Sequence, residues 1–301
     1  MIDDLQAVLT GSARSEIPAA AKWDPGFLPD NSGFVWNDLL PAGGAAFCNQ
    51  SLLTNLETKR VSFTELSCAT SKAIPLYQIV GASLDGSDYF VVTGPHENDD
   101  GGKKLTRDPL ARFGSNTAVT VTPVISNGTS YDFGEGIEKT TPFEGDSIIS
   151  PSAQLVVTRV GSGNEQLGYS LRLLKATKNS TGYDVDLPQV GRLCLNGAKA
   201  NVSFDERVVA THHYVSQNDF AELGFSSADD PGFKEYVTKG GANIYIVDLL
   251  TGKKARITNV KAGQYAIYPH FRSDGWLYFL VRDAISGKEY VAASDAAIRL
   301  P

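Results

Sequence analysis

Methionine is all but missing from this sequence, with 1 residue in 301, at the N-terminus. Cysteine (3) and histidine (4) are nearly as scarce. Cys48, Cys68 and Cys194 match no zinc-binding spacing, so no zinc-finger motif organises the chain. No apolar run approaches the ~20 residues that cross a bilayer as a helix, and no transmembrane segment is expected. Lys and Arg (27) are outnumbered by Asp and Glu (34), for a formal charge of −7, and the basic residues do not cluster. A surface for nucleic acid or anionic lipid needs clustered cations, so neither is expected as a partner. A G-x-S-x-G nucleophile elbow is missing, as is a Gly-rich phosphate loop opening a helix. No helix of more than two turns is predicted outside residues 220–223. The first residues, MIDDLQAVLTGSARSE, lack the basic start and apolar core of a secretory signal. A lone methionine at that point reads as a start residue standing in for a removed signal peptide.

Turn formers and β-branched residues are what the chain does have. Glycine is plentiful (29), hydrophobic residues make up 42%, enough for a real core, and charged residues only 20%. Short strands joined by turns are the expectation, and the strand pairs repeat. Residues 24–38 (DPGFLPDNSGFVWND), 79–96 (IVGASLDGSDYFVVTGPH), 146–160 (DSIISPSAQLVVTRV), 200–214 (ANVSFDERVVATHHY) and 268–283 (YPHFRSDGWLYFLVRD) share one plan. Each has an apolar or small run, an Asp or Ser turn at Asp30, Asp85, Ser152, Asp205 or Asp274, then a β-branched or aromatic run. Such turns need a residue that tolerates positive φ.

Two more strand-like runs follow the hairpin in most copies, as in residues 47–66, 117–134, 167–187 and 242–259. Each repeat is thus four antiparallel strands, A to D, and such units stack radially into a β-propeller. Only one further strand, within 287–298, follows the last hairpin. The ring is expected to close when an N-terminal strand, residues 4–10, completes that last blade. The predicted fold is all-β: one five-bladed β-propeller domain spanning residues 1–301, with blades near 20–66, 74–134, 142–187, 196–258 and 264–298.

The succession L-T, spacer, P-x-F-x-x-D-G, apolar run, then I-Y-x-V-D-x-x-T-G resembles the repeats of TolB-like β-propellers. Residues 255–283 and 243–252 carry it most closely, and residues 9–36 follow the same order. Ser152-Ala153 and Asp205-Glu206 depart from the Asp-Gly of the turn. The resemblance implies a bacterial, exported propeller that binds proteins or caps a peptidase, with no catalytic residue in the repeat. It also implies that Asp30, Asp85, Asp205 and Asp274 are structural.

In such a ring the A–B turns lie at one end, while the B–C and D–A loops lie at the other. His96, His212 and His213 end B strands, and His270 is assigned to the first half of an A strand, so all four histidines are expected at the B–C end. Asp38, Arg159, Arg282 and Asp283 also end B strands, and these eight residues form the candidate ligand-binding mouth. Two long B–C segments, 94–116 and 214–241, share that face, and loops of this length are usually functional or disordered.

Binding or scaffolding of a protein or glycan through this face is the primary expectation. The alternative is an enzyme, a metal-dependent or carboxylate-based hydrolase at the same mouth. His96, His212 and His270 would then hold Zn, Cu or Fe with a carboxylate such as Asp38 or Asp283. The acidic stretch HENDDGG (96–102) has oxygen ligands suited to Ca²⁺, although adjacent acids cannot all point inward. Asp24 and Glu144 are the carboxylate pair a glycosidase would need. Tyr214, Phe220, Phe225 and Phe233 either fold the second long loop back onto the ring or offer a contact surface. Cys48 and Cys68 flank a two-stranded stretch and form either a disulfide, in an exported protein, or two ordinary core thiols. Cys194 is predicted to be a buried free thiol. The periplasm or the extracellular space is the expected location, with the cytoplasm left open.

Overall fold

The computed structural model describes residues 25–27, 34–37, 45–48, 68–71, 78–81, 88–93, 116–126, 131–142, 144–160, 167–272 and 274–299. Strands dominate. The first sheet is β1 (Pro25–Phe27), β2 (Phe34–Asn37), β3 (Ala45–Cys48) and β4 (Cys68–Ser71), paired in chain order. The second has β5 (Gln78–Gly81), β6 (Asp88–Thr93) and β7 (Asn116–Ser126), with β8 (Tyr131–Phe133) and β9 (Ile137–Pro142) pairing opposite halves of β7. The third contains β10 (Glu144–Ile149), β11 (Leu155–Val160) and β12 (Tyr169–Leu173). A separate hairpin of β13 (Lys175–Lys178) and β14 (Tyr183–Asp186) follows, before β15 (Gln189–Leu193) returns as the fourth strand.

The next group is β16 (Ala200–Val202), β17 (Val208–Tyr214), β18 (Ala242–Asp248) and β19 (Lys254–Arg256). Helices α1 (Phe220–Leu223) and α2 (Pro231–Lys239) lie between β17 and β18. The last group is β20 (Gln264–Phe271), β21 (Leu277–Asp283) and β22 (Lys288–Ser294). One parallel bridge, Ala242 opposite Tyr265, joins the last two groups into a seven-stranded sheet. The five first strands β1, β5, β10, β16 and β20 each approach the next, and β20 also approaches β1.

Burial falls from the inner strands outward. All of β18 is buried and β17 is buried to His213, whereas β15 and β19 alternate between exposed and half-buried. Sheets covered on both faces need such continuous apolar runs. Phe90, Val119, Ile148, Val156 and Val209 pack between the second, third and fourth groups. Ile244, Ile246, Phe271, Leu277 and Phe279 do so between the fourth and last. Each fully buried large side chain contributes about 1.5–3 kcal/mol.

The A–B turns share one geometry despite their different sequences. Ala153, Glu206 and Gly275 occupy the left-handed region, with φ of 57°, 56° and 85°. Their N–H groups donate to the carbonyls of Ser150, Ser203 and Arg272. The side chains of Ser152, Asp205 and Asp274 accept from the N–H two residues on, at Gln154, Arg207 and Trp276. The departures from Asp-Gly are therefore true equivalents, and the structural role expected for Asp205 and Asp274 is observed. Glu206 Oε1 also accepts from Ser152 N–H at 2.6 Å, tying the two neighbouring turns together.

Several boundaries differ from expectation. Residues 167–187 hold one blade strand and an added hairpin, not two blade strands. The polar β13 and β14, with one buried residue between them, cannot serve as an inner layer, so β15 does. In the first sheet the fourth strand is Cys68–Ser71, beyond the expected end at 66. Within 117–134 the third strand runs to Ser126 and takes two partners. Helix α2 was unforeseen: Asp230 caps it by accepting from Gly232 N–H, and Pro231 has the φ its first position needs. Cys194 is exposed rather than buried, because it lies just past the edge strand β15.

Candidate functional site at the B–C end

Strand direction separates two ends. The A–B turns share theirs with the C–D turn at Asp248–Gly252, where Leu249 N–H donates to Arg207 O. At the other end three loops are joined by backbone hydrogen bonds: Gly263 N–H donates to Gly240 O, and Ala284 N–H to Gly263 O. These belong to the 214–241 segment, the loop entering β20 and the turn leaving β21.

The two adjacent histidines at the end of β17 diverge, as successive strand residues must. His213 turns toward the insertion, where its Nε2 lies 2.7 Å from Asp219 Oδ2. The same oxygen accepts from Ser216 N–H at 2.6 Å. Burial acts to raise the Asp219 pKa, but the hydrogen bonds from His213 and Ser216 outweigh it and hold the carboxyl below its ordinary range.

His212 faces the other way and is 1% exposed. Its pKa falls to about 3, first because burial disfavours the cation, then because Lys199, Arg159 and His213 bring positive charge; a hydrogen bond to the Lys199 backbone only partly offsets this. The imidazole is therefore neutral at physiological pH, and Nδ1 accepts a long 3.4 Å bond from Tyr268 N–H. Tyr214 and Tyr268 meet its ring edge-on, with centroids 5.2 and 5.4 Å away. Lys199 Nζ lies 5.7 Å from the Tyr268 ring centre. Tyr268 itself has φ of 56° at the bulge between Ile267 and His270. An aromatic residue rarely adopts that conformation, and the strain is of order 1–2 kcal/mol.

The insertion is an ordered body. Phe233, 1% exposed, packs against Phe220 and Phe225, and Phe225 packs on Tyr236. Of the two roles open to these aromatics, folding back is the one observed. Tyr236 hydroxyl donates to Val260 O at 2.6 Å and Tyr265 hydroxyl to Lys239 O at 3.0 Å. Gly240 ends α2 at φ 75°, and a Cβ there would lie 2.0 Å from the Tyr265 hydroxyl, so only glycine fits.

The structure brings Arg159 and His212 into one charged neighbourhood and places His213 beside it. It separates the others. His270 is the seventh residue of β20, opposite Tyr278, near the A–B end and not in the strand's first half. The bulge after Ile267 and the strand's start at Gln264 account for the difference. Asp283 caps its own turn, accepting from Ile285 and Ser286 N–H at 2.9 Å and from Gln264. These bonds hold its pKa below the ordinary carboxylate range. Arg282 pairs across the strand with Glu289 at 2.6 Å. His96, Asp38, Asp24, the stretch 96–102 and loop 94–116 lie outside the described residues, as do residues 4–10. Among the described residues no three metal-ligating side chains converge. Tyr268 and Lys199 were missed from sequence; Tyr-Pro within a repeat that elsewhere has small residues was the available signal. Cys48 stands directly opposite Cys68 in the β3–β4 register.

No family model and no curated protein matches the chain. Solved structures with a similar fold include TolB from Acinetobacter baumannii, at 10% identity and TM-score 0.38, over 90% of this chain and 54% of that one. An acylaminoacyl peptidase from Pyrococcus horikoshii gives 11% identity and TM-score 0.40, over 90% and 37%. The Cps50 (Swd1) β-propeller domain of Myceliophteria thermophila gives 7% and 0.42, over 93% and 98%. The chain thus spans about half of TolB and little more than a third of the peptidase. The likeness is one of general outline and assigns neither partner nor activity.

Proposed function

We propose that this chain is a non-catalytic binding β-propeller of five blades that presents the 94–116 and 214–241 segments on one face to a protein or glycan partner. In this reading residues 4–10 complete the last blade beside β22. The cyclic approach of the five first strands supports the ring, and the last group has three described strands where the fourth has four. A Cys48–Cys68 disulfide and an exported location belong to the same reading. Directly opposed antiparallel residues have Cα atoms about 4.5–5.5 Å apart, within the ~4.4–6.8 Å a disulfide spans.

The observation that carries the binding reading is the insertion. It has its own aromatic core, a capped helix and anchors at Asp219, Tyr236 and Lys239, and none of these is needed to close a blade. Its outer side leaves Val237 42% exposed. A Val237→Glu variant tests the proposal against Leu250→Glu, placed on the 84% exposed C–D turn at the opposite end. Partner capture is expected to fall with Val237→Glu alone, both proteins melting like the parent. Equal capture by both variants, or loss only with Leu250→Glu, would overturn it.

A further inference from the structure

The B–C end has one property the insertion does not account for: its buried charge is of one sign. Arg159 and Lys199 are 4% and 3% exposed, and come from β11 and from the residue just before β16. Every charge recorded as acting on His212 is positive. Asp219, the nearby carboxylate, is directed at His213 and Ser216 on the far side of β17. Tyr268 spends backbone strain to stand beside both Lys199 and His212. Strain of this kind concentrates at ligand clamps.

We propose that Arg159 and Lys199, walled by His212 and Tyr268, form a receptor for the carboxylate of a small sugar acid that enters from the insertion face. The assignment deepens the binding reading above and rests on it. A guanidinium fork matches a carboxylate in two parallel hydrogen bonds, and an ammonium adds a third donor. Both cations also have partners within the chain, which fix their positions while leaving donors to share. Their low exposure admits a small group and not a macromolecular surface. Half-buried Tyr214, Tyr265 and Tyr268 line the approach with rings that are apolar in body and polar at the tip, which suits a sugar ring better than an acidic peptide.

Calorimetric titration of the whole protein with glucuronate and galacturonate tests this, with glucose, galactose, inorganic phosphate and an acidic hexapeptide as comparisons. The sugar acids are expected to bind and the neutral sugars not to. Lys199→Gln and Arg159→Lys are each expected to weaken binding roughly tenfold or more, as loss of a charge-assisted hydrogen bond does. Arg159→Lys keeps the charge and loses the fork, so it serves where Lys199→Gln does not fold. No binding of either acid, a preference for phosphate or the peptide, or unchanged affinity in folded variants would overturn the assignment. Capture that still responds to Val237→Glu while the acids fail would sink this receptor alone and leave the binding face standing.

Discussion

Lowering the pH from 7.5 to 5 should destabilise this protein through one residue, His212. Its folded pKa of about 3 lies below the unfolded value of 6.5. Between those values the unfolded chain binds a proton that the folded chain refuses, so stability is full above pH 6.5 and declines as pH falls toward 3. At pH 5 the gap is about 1.5 units, which at about 1.4 kcal/mol per unit amounts to roughly 2 kcal/mol. For 301 residues this is a drop in Tm of about 3 °C. The depressed carboxyls of Asp219, Asp248 and Asp283 act in the other window, because their contribution is lost only below the ordinary carboxylate value of 3.8. pH 5 therefore isolates the histidine. His212→Asn keeps an acceptor near the Nδ1 position and removes the titration. Urea unfolding at pH 7.5 and 5 should give the parent a loss about 2 kcal/mol larger than that of the variant. Parallel losses would refute the buried, neutral histidine.

Three further outcomes follow from the geometry. Gly275→Ala should cost about 1–2 kcal/mol, since φ of 85° strains any side chain and the new Cβ would meet Ile298 at 2.8 Å. Ala153→Gly should be near neutral in denaturant melts, because relief of strain is offset by roughly 0.8 kcal/mol for the buried methyl. Asp219→Ala should cost about 2 kcal/mol or more by leaving His213 buried without its partner, and should speed hydrogen exchange in α1 and α2 while blade amides stay protected. Deleting residues 2–12 should speed exchange along β22 and lower Tm; unchanged β22 protection would contradict closure by the N-terminal strand.

Repeat pattern and turn chemistry were legible in the sequence because they are local. Asp205, Asp274 and even Ser152 could be placed by their spacing from the following apolar run, and the structure gives all three the same hydrogen bond. Added elements were harder to see. The β13–β14 hairpin has the same strand, turn, strand rhythm as a blade edge, and only its polar faces set it apart. Asp-Pro before Gly-Phe signalled the start of α2, but the turn-rich surroundings masked a helix of 9 residues. The site was half legible. The B-strand ends picked out Arg159, His212 and His213, whereas Asp283 and Arg282 have the same residue types and serve a turn and a cross-strand pair. His270 was misplaced because a bulge shifts the register by an amount no residue count reveals. Tyr268 escaped notice because its importance lies in a dihedral angle.

The claim that one end of this molecule is the working end is tested most directly by mapping where a partner touches. Lysine-directed cross-linking of the captured complex, followed by peptide mass spectrometry, reads this in one experiment. Links from Lys234 and Lys239 on α2, 60% and 44% exposed in their side chains, are the predicted result. Links confined to Lys175 and Lys178 of the β13–β14 hairpin, with α2 silent, would contradict it.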